Sequence, residues 1–124
     1  MRELHGHKVN ECNDVVKIEV KDEPGAGGAN HYYEVSYPDA KSPECRAVHG
    51  IYFQNGPIKE VGTNGLTHEI LLTIVADRLE SFQKGPYMCR ENAIALTKIQ
   101  EATMWLQKRT RDRLARGVEG THEK

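Results

Sequence analysis

The chain has 124 residues, enough to bury one core and too few for two. Its 17 Lys and Arg against 18 Asp and Glu leave a formal net charge of −1, which gives no bulk attraction to polymeric nucleic acid or to a membrane. The three cysteines, Cys12, Cys45 and Cys89, are odd in number and form no CxxC pair, so reduced thiols are expected rather than a disulfide framework. No stretch is apolar for long enough to span a membrane, and the N-terminal residues lack the apolar run of a signal peptide. A soluble, intracellular protein is expected.

Residues 1–13 are polar. His5, His7 and Cys12 are metal-ligand types, but no second spaced group completes a site, so a loose terminus or a strand edge is expected. Residues 15–20 are rich in β-branched side chains and alternate from Lys17 onward, which predicts a strand. Residues 21–30 form a long turn rich in glycine. Residues 31–37 predict a second strand with Tyr33, Val35 and Tyr37 on one face. After a turn at 38–43, residues 45–54 predict a third strand. Asn55-Gly56-Pro57 turns the chain again, and residues 58–61 predict a short fourth strand.

A glycine turn at 62–65 then leads into a helix, with Asn64 or Thr67 as its cap. Leu71, Val75, Leu79 and Phe82 share one face, Ile70 and Ile74 lie beside them, and Glu69, Thr73, Asp77, Glu80 and Lys84 lie opposite. Lys84-Gly85-Pro86 breaks the pattern. A second helical run extends from Cys89 to Arg116, with Leu96, Ile99, Ala102, Thr103 and Leu106 inward and Lys98, Glu101, Lys108 and Asp112 outward. So short a turn makes the helices antiparallel. Gly117 closes the second helix, and 117–124 read as a mobile tail. The expected class is α+β, an N-terminal antiparallel β-sheet followed by a C-terminal two-helix antiparallel hairpin. A single domain, 1–124, would then comprise a β-rich part (1–61), the hairpin (62–116) and the tail.

No nucleophile–base pair, GxSxG elbow or HExxH motif is present, so no catalytic residue can be named and no cofactor or metal is implied. Binding groups are better represented. The first half of the chain (1–63) holds seven basic against ten acidic residues, the second half ten against eight. Much of the positive charge is Lys108, Arg109, Arg111, Arg113 and Arg116 near the end of the second helix. Guanidinium groups so crowded repel one another unless an anion or an acidic partner offsets them, and their forks suit phosphate oxygens. The same arginines also complement the helix dipole, which alone would explain them. At the hairpin turn, Phe82 and Tyr87 offer faces for a base, Asn92 an amide for a base edge, and Arg90 a cation at a helix start. These groups also have ordinary readings, Phe82 as the last core residue and Asn92 as a helix-start residue. The turn and the arginine-rich end lie far apart in one hairpin. One ligand served by both requires a second subunit.

The segments Phe53-Gln-Asn-Gly-Pro-Ile-Lys-Glu-Val-Gly62, Asn64-Gly-Leu-Thr67, Asp77-Arg-Leu79, Phe82-Gln-x-Gly-Pro-Tyr-x-Cys-Arg-Glu-Asn-Ala93 and the run from Trp105 to His122 resemble a family of small phage proteins, the Thoeris anti-defence proteins of the first type. The likeness covers about the C-terminal three fifths of the chain, and its long, ordered segments are specific. It implies a non-enzymatic sponge that binds the cyclic ADP-ribose isomer made by bacterial TIR-domain sensors, in the cytoplasm of the infected host. It also implies a β-sheet followed by two helices, assembly as a homo-oligomer (dimer or hexamer), and in some members a separate site for cyclic di- or trinucleotides. Carried over, Phe82 stacks on adenine, while Asn92 and Arg109 contact the ligand. Arg90, Arg113 and Arg116 are further candidates by position and charge. The alternatives are a protein-interaction module using the basic helix end, or a related sponge for the cyclic oligonucleotides of anti-CBASS proteins.

Overall fold

Antiparallel pairing organises the N-terminal half. The computed structural model describes residues 1–124, which divide into two compact units, 1–56 with 63–65 and 57–62 with 66–124. In the first unit β1 (Arg2–Leu4), β2 (Lys17–Val20), β3 (Tyr32–Pro38) and β4 (Arg46–Tyr52) form one four-stranded sheet in sequential order, every pair antiparallel. A single helical turn, α1 (Glu11–Asp14), joins β1 to β2 and is capped by the Asn10 side chain.

Register decides the two faces. Val20 pairs with Tyr33 and Tyr33 with Ile51, so these apolar side chains fall in one row across three strands. Val20 is 1% exposed, and Tyr33 meets Phe53 edge to face, with ring centroids 5.6 Å apart. The next row, on the other face, is Glu3, Glu19 and Glu34. Tyr32 and Tyr52 stack at 4.3 Å on that same face. Hydrogen bonding with the Tyr52 hydroxyl, and the bond that Tyr32 donates to Glu34 (2.8 Å), hold the Tyr32 hydroxyl protonated well above its usual range. Ser36 is buried and accepts from Arg46 Nε at 3.1 Å, so its hydroxyl is partnered.

Residues 53–56 and 63–65 close this unit with an asparagine clamp. The Asn55 amide N–H donates to Asn64 Oδ1 (2.8 Å), Asn64 Nδ2 returns a bond to the Asn55 carbonyl (2.7 Å), and the Asn64 N–H donates to Gln54 Oε1 (2.9 Å). Asn64 is therefore spent on this clamp and does not cap the following helix. Gly65 passes so close to the chain that a Cβ there would lie 2.4 Å from the Phe53 carbonyl carbon. Only glycine fits.

In the second unit, α2 (Ile58–Val61) is one helical turn, where the sequence predicts a strand. Pro57 supplies a fixed φ of −68° just before it, and Gly62 ends it at φ +75°, a conformation that favours glycine. The helical unit consequently begins at 57 rather than 62. The hairpin itself is α3 (His68–Gln83) and α4 (Arg90–Arg116), packed on each other. Thr67 caps α3, accepting from the Ile70 N–H, and Gly117 ends α4 in the left-handed conformation at φ +73°. The inward stripe of α4 is Asn92, Leu96, Ile99, Thr103, Leu106, Thr110 and Arg113, spaced three and four apart throughout. Ala102, expected inside, is exposed. On α3, Leu71, Leu72, Ala76, Leu79 and Phe82 are half-buried, while Val75 joins Ile70 and Ile74 in the open.

Residues 117–124, expected to be a mobile tail, fold back instead. The Lys59 N–H donates to the Gly120 carbonyl (2.8 Å), and His122 lies 3.4 Å from Glu60. Residues 1–13 hold β1 and α1, a strand edge rather than a loose end. The His7 Nε2–H donates to the Val16 carbonyl at 2.7 Å, and His5 lies 3.7 Å from Glu3. No three His, Cys, Asp or Glu side chains are grouped to hold a metal, and no helix is long and apolar enough to cross a membrane.

Candidate functional site

The turn between α3 and α4 is built by Gln83. Its Nε2 donates to the Cys89 carbonyl (3.1 Å) and its Oε1 accepts from the Cys89 N–H (3.2 Å), so one side chain satisfies both backbone groups across six residues. Cys89 then caps α4, its Sγ accepting from the Asn92 N–H at 3.4 Å. The end of α3 and the start of α4 are thereby fixed against each other. Phe82 and Asn92 sit on either side of this clamp.

Phe82 is half-buried and its ring is held twice. Tyr87 meets it edge to face at 5.8 Å, and the Arg78 guanidinium lies over it, 4.8 Å from the centroid. Such contacts favour one ring plane over free rotation. Asn92 is half-buried on the inward stripe, and its side-chain amide makes no hydrogen bond within the chain. Arg90, the first residue of α4, is exposed with a free guanidinium. An aromatic face, an amide and a cation are thus carried within one turn region, Asn92 on the inward side of α4 and Arg90 on its outer side. That set suits a ligand with a flat heterocycle and a negative group.

The other arginines divide by helix phase. Arg109 is exposed and unpaired, in an open groove of about 540 Å3 that it lines with Trp105, Lys108, Asp112, Arg113 and Arg116. Lys108 and Asp112 pair along the helix at 2.7 Å. Arg113 continues the inward stripe and is only 8% exposed. Its Nε donates to Glu119 (3.1 Å), its Nη1 to the Glu123 carbonyl (2.5 Å), and its Nη2 to the carbonyls of Val118 (2.9 Å) and Thr121 (3.1 Å). Every nitrogen of this fork is engaged by the tail. Arg116 stays exposed and donates to the Lys124 carbonyl. Among the arginines of this region the free ones are therefore Arg109 and Arg111, with Arg116 tied at one nitrogen.

Seventeen residues separate Asn92 from Arg109, roughly 26 Å along the helix axis. The chain does not bring them together. Two contributors to the turn were not singled out as such from sequence. Gln83 shows no local signal, because its role depends on the turn it closes. Arg78 shows one, since it stands four residues before Phe82 on the same helix.

A family model described as the Acb2/Tad1 hairpin domain matches residues 47–111, about half of the chain. A Bacillus phage SBSphiJ7 protein named Thoeris anti-defense 1 is 55% identical over 74 residues, covering 60% of this chain and 52% of that protein. The match thus spans about half the length of that relative.

Proposed function

The chain belongs to the Acb2/Tad1 hairpin-domain family, and from that premise we propose that it is a phage anti-defence protein that sequesters a nucleotide immune signal. The ligand in this reading is a cyclic ADP-ribose isomer, held intact and kept from the effector it would activate in Thoeris-type immunity, in the cytoplasm of the infected host. The observation that carries it is the clamped turn, where Gln83 fixes the end of α3, with the Phe82 ring, against the start of α4, with the unpaired Asn92 amide. The name of the phage relative supports the anti-defence role. Phe82 stacks on the adenine, Asn92 pairs with the ligand, and Arg90 and Arg109 face its phosphates. Because Arg109 lies roughly 26 Å from Asn92 along α4, it reaches that ligand from another copy of the chain, in a homo-oligomer such as a dimer or hexamer.

The groove lined by Trp105, Lys108, Arg116 and Lys124 favours a second ligand of the same chemistry, a cyclic di- or trinucleotide, over an acidic protein partner. Trp105, 64% exposed, adds a stacking surface beside these cations.

Calorimetry with cyclic ADP-ribose isomers and cyclic dinucleotides tests the reading. Tight saturable binding is expected, and ligand recovered after denaturing the complex should be chemically unchanged. Cleaved ligand would make the protein a hydrolase, and no heat with any nucleotide would dismiss it as a sponge. Phe82→Ala with Asn92→Ala should abolish binding while the fold, read as helix content, and the oligomer persist.

A further inference from the structure

Arg78 stands between the outward Asp77 and the inward Leu79, and neither helix packing nor the ligand contacts above use it. It is exposed on α3, one turn before Phe82, and its guanidinium lies 4.8 Å from the Phe82 ring centroid. None of its donors makes a hydrogen bond or ion pair within the chain, although Asp77 is its neighbour. An unpaired guanidinium would ordinarily extend into water. Here it rests on the ring.

The ring has two faces and an edge. Tyr87 takes up an edge-to-face contact with an interplanar angle of 86°, and Arg78 covers one face. Stacking by a ligand base then falls to the face opposite Arg78. We propose that Arg78 is a positioning residue for the nucleotide site, acting through Phe82, and this rests on the reading that Phe82 stacks on a ligand base. Arg78 does two things there. It closes one face, so that a base stacks on the other alone and a single binding pose is favoured. It also fixes the ring plane before the ligand arrives, which removes part of the ordering cost of binding. The cation lies behind the ring, so its attraction to the quadrupole strengthens the platform without a hydrogen bond to the ligand.

The test uses the full chain with cyclic ADP-ribose isomers as probes, comparing wild type, Arg78→Lys and Arg78→Met by calorimetry at about 0.05 M and about 0.5 M salt. Arg78→Met keeps an apolar stem over the ring and should weaken binding about two- to five-fold, the range for an exposed cation–π contact. Arg78→Lys keeps the cation and should recover part of the loss. Melting temperatures and oligomeric state should match wild type, and Arg78→Lys carries the comparison where Arg78→Met does not fold. A short-range contact to a ring survives screening, so the loss should persist at high salt. A loss that vanishes there would make Arg78 a direct phosphate contact and overturn the proposal, as would wild-type affinity in both variants. If the wild-type protein binds none of the isomers, the nucleotide-binding reading falls first, independently of Arg78.

Discussion

Arg113 and Asp22 are two residues whose charge is held by the backbone. Arg113 looks like its neighbours Arg109, Arg111 and Arg116 in sequence, yet it alone continues the inward stripe that begins at Asn92, and the tail wraps its guanidinium. Arg113→Met should lower stability by on the order of 2 kcal/mol, read as a fall in melting temperature, because Glu119 and several carbonyls lose a charged donor together. Limited proteolysis should then cut within 118–124, while Arg109→Met leaves that segment resistant. An equal effect of both variants would dismiss the distinction. The helix phase was present in the sequence; the four acceptors were not, since they come from a segment without periodicity. Asp22 accepts the His31 N–H at 2.9 Å, which holds its carboxyl below its ordinary value of 3.8. The folded form thus gains stability from Asp22 above that ordinary value and loses it as pH falls through the lower folded value. Melting followed between about pH 5 and 3 should show a shallower acid limb in Asp22→Asn than in wild type. Identical limbs would assign acid sensitivity elsewhere.

Among the elements, the hairpin turn is the one whose parts depend most on each other. Gln83 bonds both backbone groups of Cys89, Cys89 caps α4, and the cap orients the first turn that carries Arg90 and Asn92. Gln83→Leu keeps the side-chain volume and removes both bonds. It should cost about 1–2 kcal/mol in thermal unfolding, and weaken ligand binding more than its distance from the ligand suggests. Unchanged affinity with lowered stability would confine Gln83 to a scaffold role. The hairpin, its Gly-Pro break and the α4 stripe were legible because 3.6-residue periodicity is strong over long runs. Residues 58–61 were not: four residues with Ile and Val at the ends fit a strand as well as a helical turn, and Pro57 and Gly62 decide the matter through backbone geometry. Gly65 reads as a turn glycine in sequence, but the contact that requires it, against the Phe53 carbonyl, is long-range.

For the molecule as a whole, the balance of apolar surface argues for assembly. Val20 is the one fully buried apolar side chain, and on the hairpin Ile74, Met104, Trp105 and Leu114 are each more than 60% exposed. Two helices cover only the stripes that face each other, so these outward apolar side chains stay wet unless another copy covers them. The separation of Asn92 from Arg109 makes the same demand for a different reason, because a ligand contacting both needs groups from two chains. If both arguments hold, one substitution pair should remove assembly and binding together. Ile74→Glu with Met104→Glu places charges on outward apolar positions and leaves Phe82, Asn92, Trp105 and Arg109 in place. Light scattering should report a smaller species, and calorimetry should show loss of tight nucleotide binding, with helix content by circular dichroism largely retained. Tight binding by a monomer would refute the shared site while leaving Phe82 and Asn92 as candidates. Wild-type mass in the variant would show instead that these positions are not where copies meet. Amphipathicity in the sequence announced two helices with apolar faces; it could not say how many faces, because one apolar residue at helical spacing reads alike whether its cover is the next helix or the next chain.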